Sequence, residues 1–354
     1  MPSSKSDDLL EKGTNSEEEP VARRESFAAL RRNNVTSRQL RIITLNAWCL
    51  PQPWPIGSTD RVHRLRKIGE SMLAEPYDIV GLQELWSYWD FVRLSEQVSA
   101  EYPFFHYFHS GFTGSGVCVF SRHPIVSTLT MRYSLNGFAH HIHRGDWFGG
   151  KVVGLCEIEI DRDIRVNFYT THLHAEYDRE NDLYLPHRTS QSFELAQFDD
   201  SKRIDYVLFK SGRCNVSLEE CEITLNQISG EEINYSDHVG LYARFTIDDR
   251  FRHEKSVNNW EPNRPLLIEA IGIVSGGERR ARTDRTFFLI LATICLILIL
   301  GSLAFDVVPI FFAILRFALT ILGVFFVWQG FIGLTLERKA LKAAKQAMQQ
   351  ILNN

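Results

Sequence analysis

Two long stretches without a charged side chain near the C-terminus constrain this chain most strongly. Residues 287–305 and 317–336 contain no Asp, Glu, Lys or Arg. An apolar helix of about 20 residues is long enough to cross the hydrocarbon core of a bilayer. Each stretch therefore predicts a membrane-spanning helix. The alternative is a pair of buried helices in a water-soluble core, where adjacent charge-free runs of this length are uncommon.

Basic residues flank this predicted helical hairpin on both sides. Four arginines precede the first stretch, and the tail 337–354 carries four Arg or Lys residues after the second, namely Arg279, Arg280, Arg282, Arg285, Arg338, Lys339, Lys342 and Lys345. Positive residues favour the cytosolic side of a membrane, and two spans return the chain to the side where it started. The sequence thus predicts an integral membrane protein whose N-terminal domain and tail face the cytosol.

Charge and cysteine content exclude some classes of function. The chain has 39 Lys and Arg against 43 Asp and Glu, a formal net charge of −4, so no basic excess argues for a nucleic-acid partner. Its six cysteines lie far apart and form no C-x-x-C pair. This spacing favours reduced intracellular thiols over a disulfide framework or a zinc site.

The remainder of the chain divides into three parts that differ in polarity and in hydrophobic pattern. Residues 1–38 are polar, contain no signal-peptide core, and are predicted to be a disordered tail. Residues 39–248 mix β-type runs with helical stretches, which is typical of a layered α/β domain. Residues 249–285 are polar and are predicted to be a linker. The β-type runs cover 41–45, 78–82, 116–121, 152–160, 166–172, 205–209 and 241–247, and the helical stretches cover 61–73, with Asp60 as cap, and 180–198.

Several polar residues follow strand-like runs at positions where chemistry is possible. Asn46 can hold a phosphate or orient a metal ligand, and Glu84 is a Mg²⁺ candidate, although a turn residue and a solvent-facing carboxylate are the commoner explanations. His172 and His174 alternate, so they share one strand face. The Asp237-His238 pair offers a metal contact and a general base. The histidines at 140, 141 and 143 are predicted to be exposed loop residues.

The order of these clusters resembles the endonuclease/exonuclease/phosphatase superfamily, the fold of deoxyribonuclease I. The strings around Leu-Gln-Glu-Leu-Trp-Ser, Gly-Asp-Trp-Phe and Thr-His-Leu-His-Ala-Glu-Tyr are similar to those of neutral sphingomyelinase, and the hairpin is similar to its membrane-anchored branch. The resemblance covers about residues 40–245. It implies an α/β fold with a two-layer β-sandwich flanked by helices, and by analogy an internal membrane.

What the resemblance implies is a Mg²⁺-dependent reaction of the phospholipase C type. Sphingomyelin would be hydrolysed to ceramide and phosphocholine, with membrane lipids as the partners. Glu84 matches the family's metal ligand, Asn46 its supporting polar group, and Asp237 lies near the metal. Lysophospholipids stay open as substrates. A nuclease or an inositol-phosphate phosphatase on the same fold is a further alternative, but the hairpin and the mildly acidic charge argue against a nuclease, because duplex binding draws on cationic surface. No protein partner is predicted.

The same comparison implies roles for the remaining site residues. His238 matches the base that activates water, Asp205 the carboxylate that orients it, and His172 the histidine that contacts the phosphate or the leaving oxygen. Lys151 ends a G-x-x-x-x-G-K string that lacks the final Ser or Thr of a nucleotide-binding loop, so it is expected to meet a phosphate or an anionic lipid. Trp86 is expected at the choline group or the membrane, with core packing as an equal alternative.

One family motif is missing from the sequence. The family has Gly-Asp-x-Asn between the helix ending in Ala-Gln-Phe and the Arg-Ile-Asp-Tyr strand, whereas here Phe198 runs through four residues into Arg203. We therefore expect a deleted block at about 198–203, from alternative splicing or a gene-model error. Catalytic groups act as units, so activity is expected to be impaired. A catalytically inactive membrane-bound scaffold is the alternative function.

Overall fold

The computed structural model describes residues 37–51, 57–161, 164–198, 207, 209, 211–212, 214–248, 263–304 and 309–353. Its strands are β1 (Ser37–Cys49), β2 (Ile79–Leu85), β3 (Phe104–Tyr107), β4 (Cys118–Ser121), β5 (Ile125–Arg132), β6 (Val152–Asp161), β7 (Ile164–Thr171), β8 (Asn215–Thr224) and β9 (Gly240–Asp248). Its α-helices are α1 (Arg61–Ala74), α2 (Tyr88–Val98), α3 (Leu185–Phe198), α4 (Arg264–Ser302), α5 (Pro309–Trp328) and α6 (Leu334–Asn353). A 3₁₀ turn (Ile142–Arg144) and a π-helical turn (Gln329–Gly333) complete them.

The strands form two sheets that pack face to face. The larger sheet has the order β3-β4-β2-β1-β9-β8, with β1 and β2 parallel, and the smaller antiparallel sheet has the order β5-β6-β7. Apolar side chains from both sheets meet in one core cluster, and α1 and α2 cover the other face of the larger sheet through a second cluster. The predicted α/β sandwich flanked by helices is confirmed.

Strand β1 is the centre of this arrangement because it is buried on both faces. Leu40 and Ile42 join the cluster between the sheets, whereas Ile43, Leu45 and Ala47 join the cluster beneath the helices. A strand covered on both sides needs a nearly continuous apolar run, and its sequence supplies one. Asn46 is a buried polar side chain near the C-terminal end of β1, at the edge where the parallel strands β1 and β2 both end.

Several predicted boundaries need correction. Helix α4 begins at Arg264, so residues 264–285 are helical and only 249–262, which lie outside the described residues, remain of the predicted linker. Asp60 occupies the N-cap position of α1 but makes no capping hydrogen bond through its side chain. In the predicted run 205–209, the described residues 207 and 209 are not in a strand. The predicted tail shortens to 1–36, also outside the described residues, because β1 begins at Ser37.

Helices α4 and α5 pair along their apolar lengths and leave most of those lengths uncovered. Only 17% of the most apolar 18-residue segment of α4 is buried, and none of the corresponding segment of the second helix is buried. The alternative of two buried core helices therefore does not fit. Both helices are long and apolar enough to cross a membrane. At the domain end of the pair, the Arg285 Nε atom donates to the Gly330 carbonyl oxygen at 3.2 Å.

Beyond that contact, the first turns of α4 and helix α6 form a stalk that packs on the α/β domain. The first turns of α4, helix α6 and Leu135 of the domain share one buried apolar cluster, which Phe193 of α3 adjoins. The side chains of His140 and Gln329 also meet, with 3.0 Å between His140 Nδ1 and Gln329 Nε2. The His140 ring lies 5.1 Å from that of Phe288. His140 and His141 are therefore half-buried, which corrects their prediction as exposed loop residues.

A buried titratable pair lies in the contact between stalk and domain. His187 Nε2 lies 4.0 Å from Glu337 Oε1, and both side chains are at least nine-tenths buried. Burial lowers the pKa of His187 to about 3. Burial, reinforced by the Asp284 carboxylate, raises the pKa of Glu337 to about 8. Both groups are thus uncharged in the folded protein at neutral pH.

The raised pKa of Glu337 predicts a loss of stability toward alkaline pH. The unfolded chain releases this proton near pH 4.5 and the folded chain only near 8, so this group lowers the free energy of unfolding as the pH rises between them. His187 acts in the opposite sense from about pH 3 to 6.5. In Glu337→Gln the first contribution disappears, so the variant gains stability over the unmodified chain from pH 5 to 8.

Unfolding of the full chain in detergent micelles, followed at several pH values, measures this difference. The matched control is Glu222→Gln, which removes an exposed carboxylate from β8 and is expected to give a difference that does not vary with pH. A constant difference for Glu337→Gln as well would contradict the burial of Glu337 as a protonated acid.

Candidate active site

The ends of β1 and β2 bring together the first two predicted site residues. Asn46 Nδ2 donates to Glu84 Oε1 at 2.9 Å, and Asn46 Oδ1 accepts from the Trp48 backbone N–H at 3.0 Å. Glu84 has a φ of 58°, in the left-handed region that L residues rarely adopt. Such strain is held only where the surroundings fix it, and it is frequent at functional sites. Here it turns the carboxylate toward the end of the sandwich.

His172 and Lys151 reach the same place from the smaller sheet. Lys151 precedes β6 and His172 follows β7, and because these strands are antiparallel neighbours the two residues lie side by side. Lys151 Nζ is 3.3 Å from His172 Nδ1, and His172 Nε2 is 3.6 Å from Glu84 Oε1. The side chains of four predicted residues thus form one continuous cluster across both sheets.

Burial disfavours the charged forms of the two basic side chains in this cluster, His172 and Lys151. It lowers the pKa of His172 well below its ordinary value, and the nearby Lys151 charge lowers it further. Burial also lowers the pKa of Lys151, against the opposing effect of the Asp146 carboxylate 3.6 Å away. His172 is therefore a neutral imidazole near pH 7 and can accept or share a proton.

Asp146 is a site residue that the sequence did not single out. Besides Lys151, its carboxylate lies 3.6 Å from His174 Nε2 and accepts a hydrogen bond from the Tyr177 hydroxyl at 2.5 Å. The sequence signal for Asp146 was the Gly-Asp-Trp-Phe string, which indicated a resemblance to the family but no role for the carboxylate. Because Asp146 and Tyr177 lie 31 residues apart, their contact follows from the fold and not from spacing.

Trp86 lies beside this cluster in a narrow slot. Its ring centroid is 6.3 Å from that of His172. A Cβ at Gly116 would lie 3.1 Å from the Trp86 ring and 3.3 Å from Glu84 Cα, and one at Gly149 would lie 3.1 Å from the same ring. Two glycines therefore allow the indole to sit against the backbone that carries Glu84. This partial burial supports packing as one function of Trp86.

Asp237 and His238 lie on an exposed loop that precedes β9. The Asp237 carboxylate accepts a hydrogen bond from the Ser236 hydroxyl at 3.1 Å, and the same hydroxyl accepts from the His238 N–H. His238 is near enough to His172 to lower its pKa, so the loop borders the cluster. The predicted orienting residue Asp205 and the junction 199–203 lie outside the described residues.

The donor set at the cluster fits a hard divalent cation. Mg²⁺ is commonly held by one or two carboxylates together with waters and substrate phosphate oxygens. Glu84, supported by Asn46, supplies such a carboxylate at an accessible strand end. Among the described residues no group of three or more His, Cys, Asp or Glu side chains forms a metal cage. A site completed by substrate is therefore the kind that these residues allow.

Comparison with known proteins decides the family. The profile of the Endonuclease/Exonuclease/phosphatase family matches residues 43–200. A Caenorhabditis elegans protein described as "Putative neutral sphingomyelinase" is 70% identical over 417 residues, which cover 95% of this chain and 96% of that protein. The chain belongs to the neutral sphingomyelinase family. The resemblance of the sequence strings to this family is confirmed.

Two further relatives show how the family similarity extends. Sphingomyelin phosphodiesterase 2 of Homo sapiens is 46% identical over 174 residues, 49% of this chain and 40% of that protein. Inositol phosphosphingolipids phospholipase C of Schizosaccharomyces pombe is 36% identical over 159 residues, 45% of this chain and 37% of that protein. This neutral sphingomyelinase family member therefore matches less than half the length of either relative.

The slot around Trp86 gives a testable requirement for glycine. Gly116 and Gly145 both have positive φ, of 71° and 75°, but only a Cβ at Gly116 would meet neighbouring atoms. An alanine in the left-handed region costs about 1–2 kcal/mol at either position. Gly116→Ala is expected to lose more free energy of unfolding than Gly145→Ala, because it must also displace the Trp86 ring.

Parallel denaturation of the two variants and the unmodified chain measures this difference. Gly145→Ala is the matched control, since it carries the same backbone strain without the contact. Equal losses in the two variants would show that the slot can open freely, and that Trp86 is not fixed by Gly116.

Proposed function

We propose that this chain carries the site of a Mg²⁺-dependent phospholipase C that cleaves sphingomyelin at the cytosolic surface of a membrane, and that its turnover is impaired. The observation that carries the proposal is the cluster of Asn46, Glu84, His172 and Lys151, which the fold assembles at one end of the sandwich. The shared family and the names of its relatives supply the reaction and the substrate.

Glu84 is the residue that would hold the magnesium ion, and Asn46 positions its carboxylate. A bound Mg²⁺ would supply electrostatic stabilisation for the charge of the phosphodiester. Lys151 Nζ lies 3.3 Å from His172 Nδ1, and the other ring nitrogen of His172 lies 3.6 Å from Glu84 Oε1. We therefore propose that the ammonium group of Lys151 binds a phosphate oxygen. Asp237 is the second acidic candidate, on the exposed loop that borders the cluster.

Proton transfer falls to the histidines. His172 is held neutral by burial, and a neutral imidazole keeps one N–H that can donate a hydrogen bond to a phosphate or leaving-group oxygen. We assign His238 as the general base that takes a proton from water, because it is exposed to solvent at the border of the cluster. Asp205 is proposed to orient that imidazole, and Trp86 to contact the choline group.

The relatives support a ceramide phosphodiester as the substrate class. The human relative is named for sphingomyelin and the Schizosaccharomyces pombe relative for inositol phosphosphingolipids, so their names share a sphingolipid phosphate and differ in the head group. The two apolar helices, which are long and apolar enough to cross a membrane, support a lipid as the substrate. Lysophospholipids are the second substrate candidate, because head-group contacts alone do not separate them from sphingomyelin.

The missing Gly-Asp-x-Asn motif supports impaired turnover. The alignment with the Caenorhabditis elegans relative covers 417 positions, 63 more than the 354 residues of this chain, so at least that many positions have no counterpart here. Residues of a catalytic constellation act as a unit, and loss of one can cost several orders of magnitude in rate. An inactive membrane-bound scaffold is therefore the second candidate, which vesicle binding without phosphocholine release would favour.

Magnesium binding tests the assigned ligand without requiring turnover. Titration calorimetry on the full chain in micelles is expected to show Mg²⁺ binding that Glu84→Gln abolishes. Asn46→Ala, which removes the support of the ligand, is expected to weaken binding by about 10–100-fold. The exposed carboxylate of Glu219 gives the matched control, Glu219→Gln. Unchanged affinity in Glu84→Gln would remove Glu84 from the site.

Glycosylation tests the proposed topology. The sequence contains N-x-S/T sequons at Asn34, Asn215 and Asn234, and the last two residues are exposed on the catalytic domain. A cytosolic domain does not meet the glycosylation machinery, so we expect all three to stay unmodified in eukaryotic cells. The chain purified from membranes should keep its mass after glycosidase treatment. A glycosidase-sensitive mass shift would reverse the proposed orientation.

A further inference from the structure

Phe112 is the most exposed large apolar side chain of the catalytic domain as described. It is 91% exposed, on the loop that connects β3 to β4. An aromatic side chain in this position gains nothing from the folded chain itself, and leaving it in water forgoes the benefit of burial. Single exposed apolar residues are common, so its placement decides whether it has a partner.

The loop that carries Phe112 is held firmly and is not free to fold the ring inward. The Phe112 and Thr113 N–H groups donate to the Phe148 carbonyl oxygen at 3.0 and 3.2 Å. Gly111 and Gly149 form an isolated β-bridge, and a Cβ at Gly111 would lie 2.3 Å from Gly150 N. The backbone of the loop is therefore bonded to the segment that leads to Lys151, and Phe112 projects from it into solvent.

The same segment touches the apolar hairpin. The Trp147 ring lies 5.5 Å from that of Trp328, the last residue of α5, in an edge-on arrangement. Close along the chain, Gly330 accepts a hydrogen bond from Arg285, the last charged residue before the charge-free stretch of α4. Tryptophan and arginine are typical of the boundary between hydrocarbon and water. Trp147 thus lies at the cytosolic boundary of the membrane that the hairpin is proposed to cross.

We propose that Phe112 inserts into the interfacial layer of that membrane and forms a second lipid contact, beside the mouth of the site. The occupant is the bilayer itself. Backbone hydrogen bonds link the loop of Phe112 to residues 148–150, which lie between Trp147 and Lys151. The proposed lipid contact is therefore continuous with the Trp147–Trp328 pair on one side and with the site on the other. Its effect is to fix the tilt of the domain so that the cluster faces lipid head groups. This inference rests on the proposed membrane crossing of α4 and α5.

Site-specific photo-crosslinking tests the contact directly and does not depend on turnover. The full chain is reconstituted into vesicles of sphingomyelin and phosphatidylcholine with p-benzoylphenylalanine in place of Phe112, and lipid adducts are mapped by mass spectrometry. The matched control replaces Leu218, which is also exposed but lies on β8, the opposite edge strand, near the end of the sheet remote from Asn46. A third chain replaces Ile290, exposed on the apolar part of α4.

The three positions separate the inference from the proposal on which it rests. Lipid adducts at 112 and 290, with none above background at 218, are the expected result. Adducts at 290 but not at 112 would overturn the second contact and keep the membrane crossing. Absence of adducts at 290 would overturn the crossing itself. Adducts at 112 to another protein chain instead of lipid would also overturn the inference.

Discussion

The hydrogen bond between Asn46 and Glu84 is the interaction on which the arrangement of the site depends. It joins the ends of the two parallel strands at the centre of the larger sheet, and it holds a carboxylate on a backbone with positive φ. Burial of β1 on both faces fixes the position of Asn46, and pairing with β1 fixes that of β2. The smaller sheet then brings Lys151 and His172 against this fixed pair.

Much of the fold follows from local sequence, as do the positions of Asn46, Glu84 and His172 at the ends of strand-like runs. Strand β1 is covered on both faces, and its sequence is accordingly a nearly continuous apolar run. This pattern predicts the strand and the position of Asn46 near its end. Strands β5 and β8 could not be predicted in this way, because they are largely exposed and carry no strict alternation of apolar and polar residues. Strand β3 has only four residues, too few for a periodic signal.

The remaining part of the site depends on contacts between distant segments. Asp146 gains its meaning only when Lys151, His174 and Tyr177 converge on it. His140 is half-buried because Gln329, 189 residues further along the chain, packs on it. No spacing rule connects such positions. The two charge-free stretches, by contrast, predicted the hairpin. They did not predict the stalk, whose amphipathic helices pack on the domain and bury the pair of His187 and Glu337.

The stalk and the loop of Trp147 join the domain that carries the cluster to the two apolar helices of the hairpin. The stalk packs on the catalytic domain through one apolar cluster, and Trp147 meets the end of α5 beside it. The loop that leads to Lys151 is therefore part of both the site and the contact with the hairpin. The chain thus has the apolar hairpin and the cluster, whereas its sequence has no Gly-Asp-x-Asn between Phe198 and Arg203.

The most direct measurement compares sphingomyelin hydrolysis by this chain and by a restored chain. In the restored chain, a block that carries the Gly-Asp-x-Asn motif of the family is inserted between Phe198 and Arg203. Phosphocholine release in Mg²⁺ is expected to rise about a hundredfold or more on restoration, because the motif completes a constellation that acts as a unit. Equal release by the unmodified 354-residue chain would contradict the account.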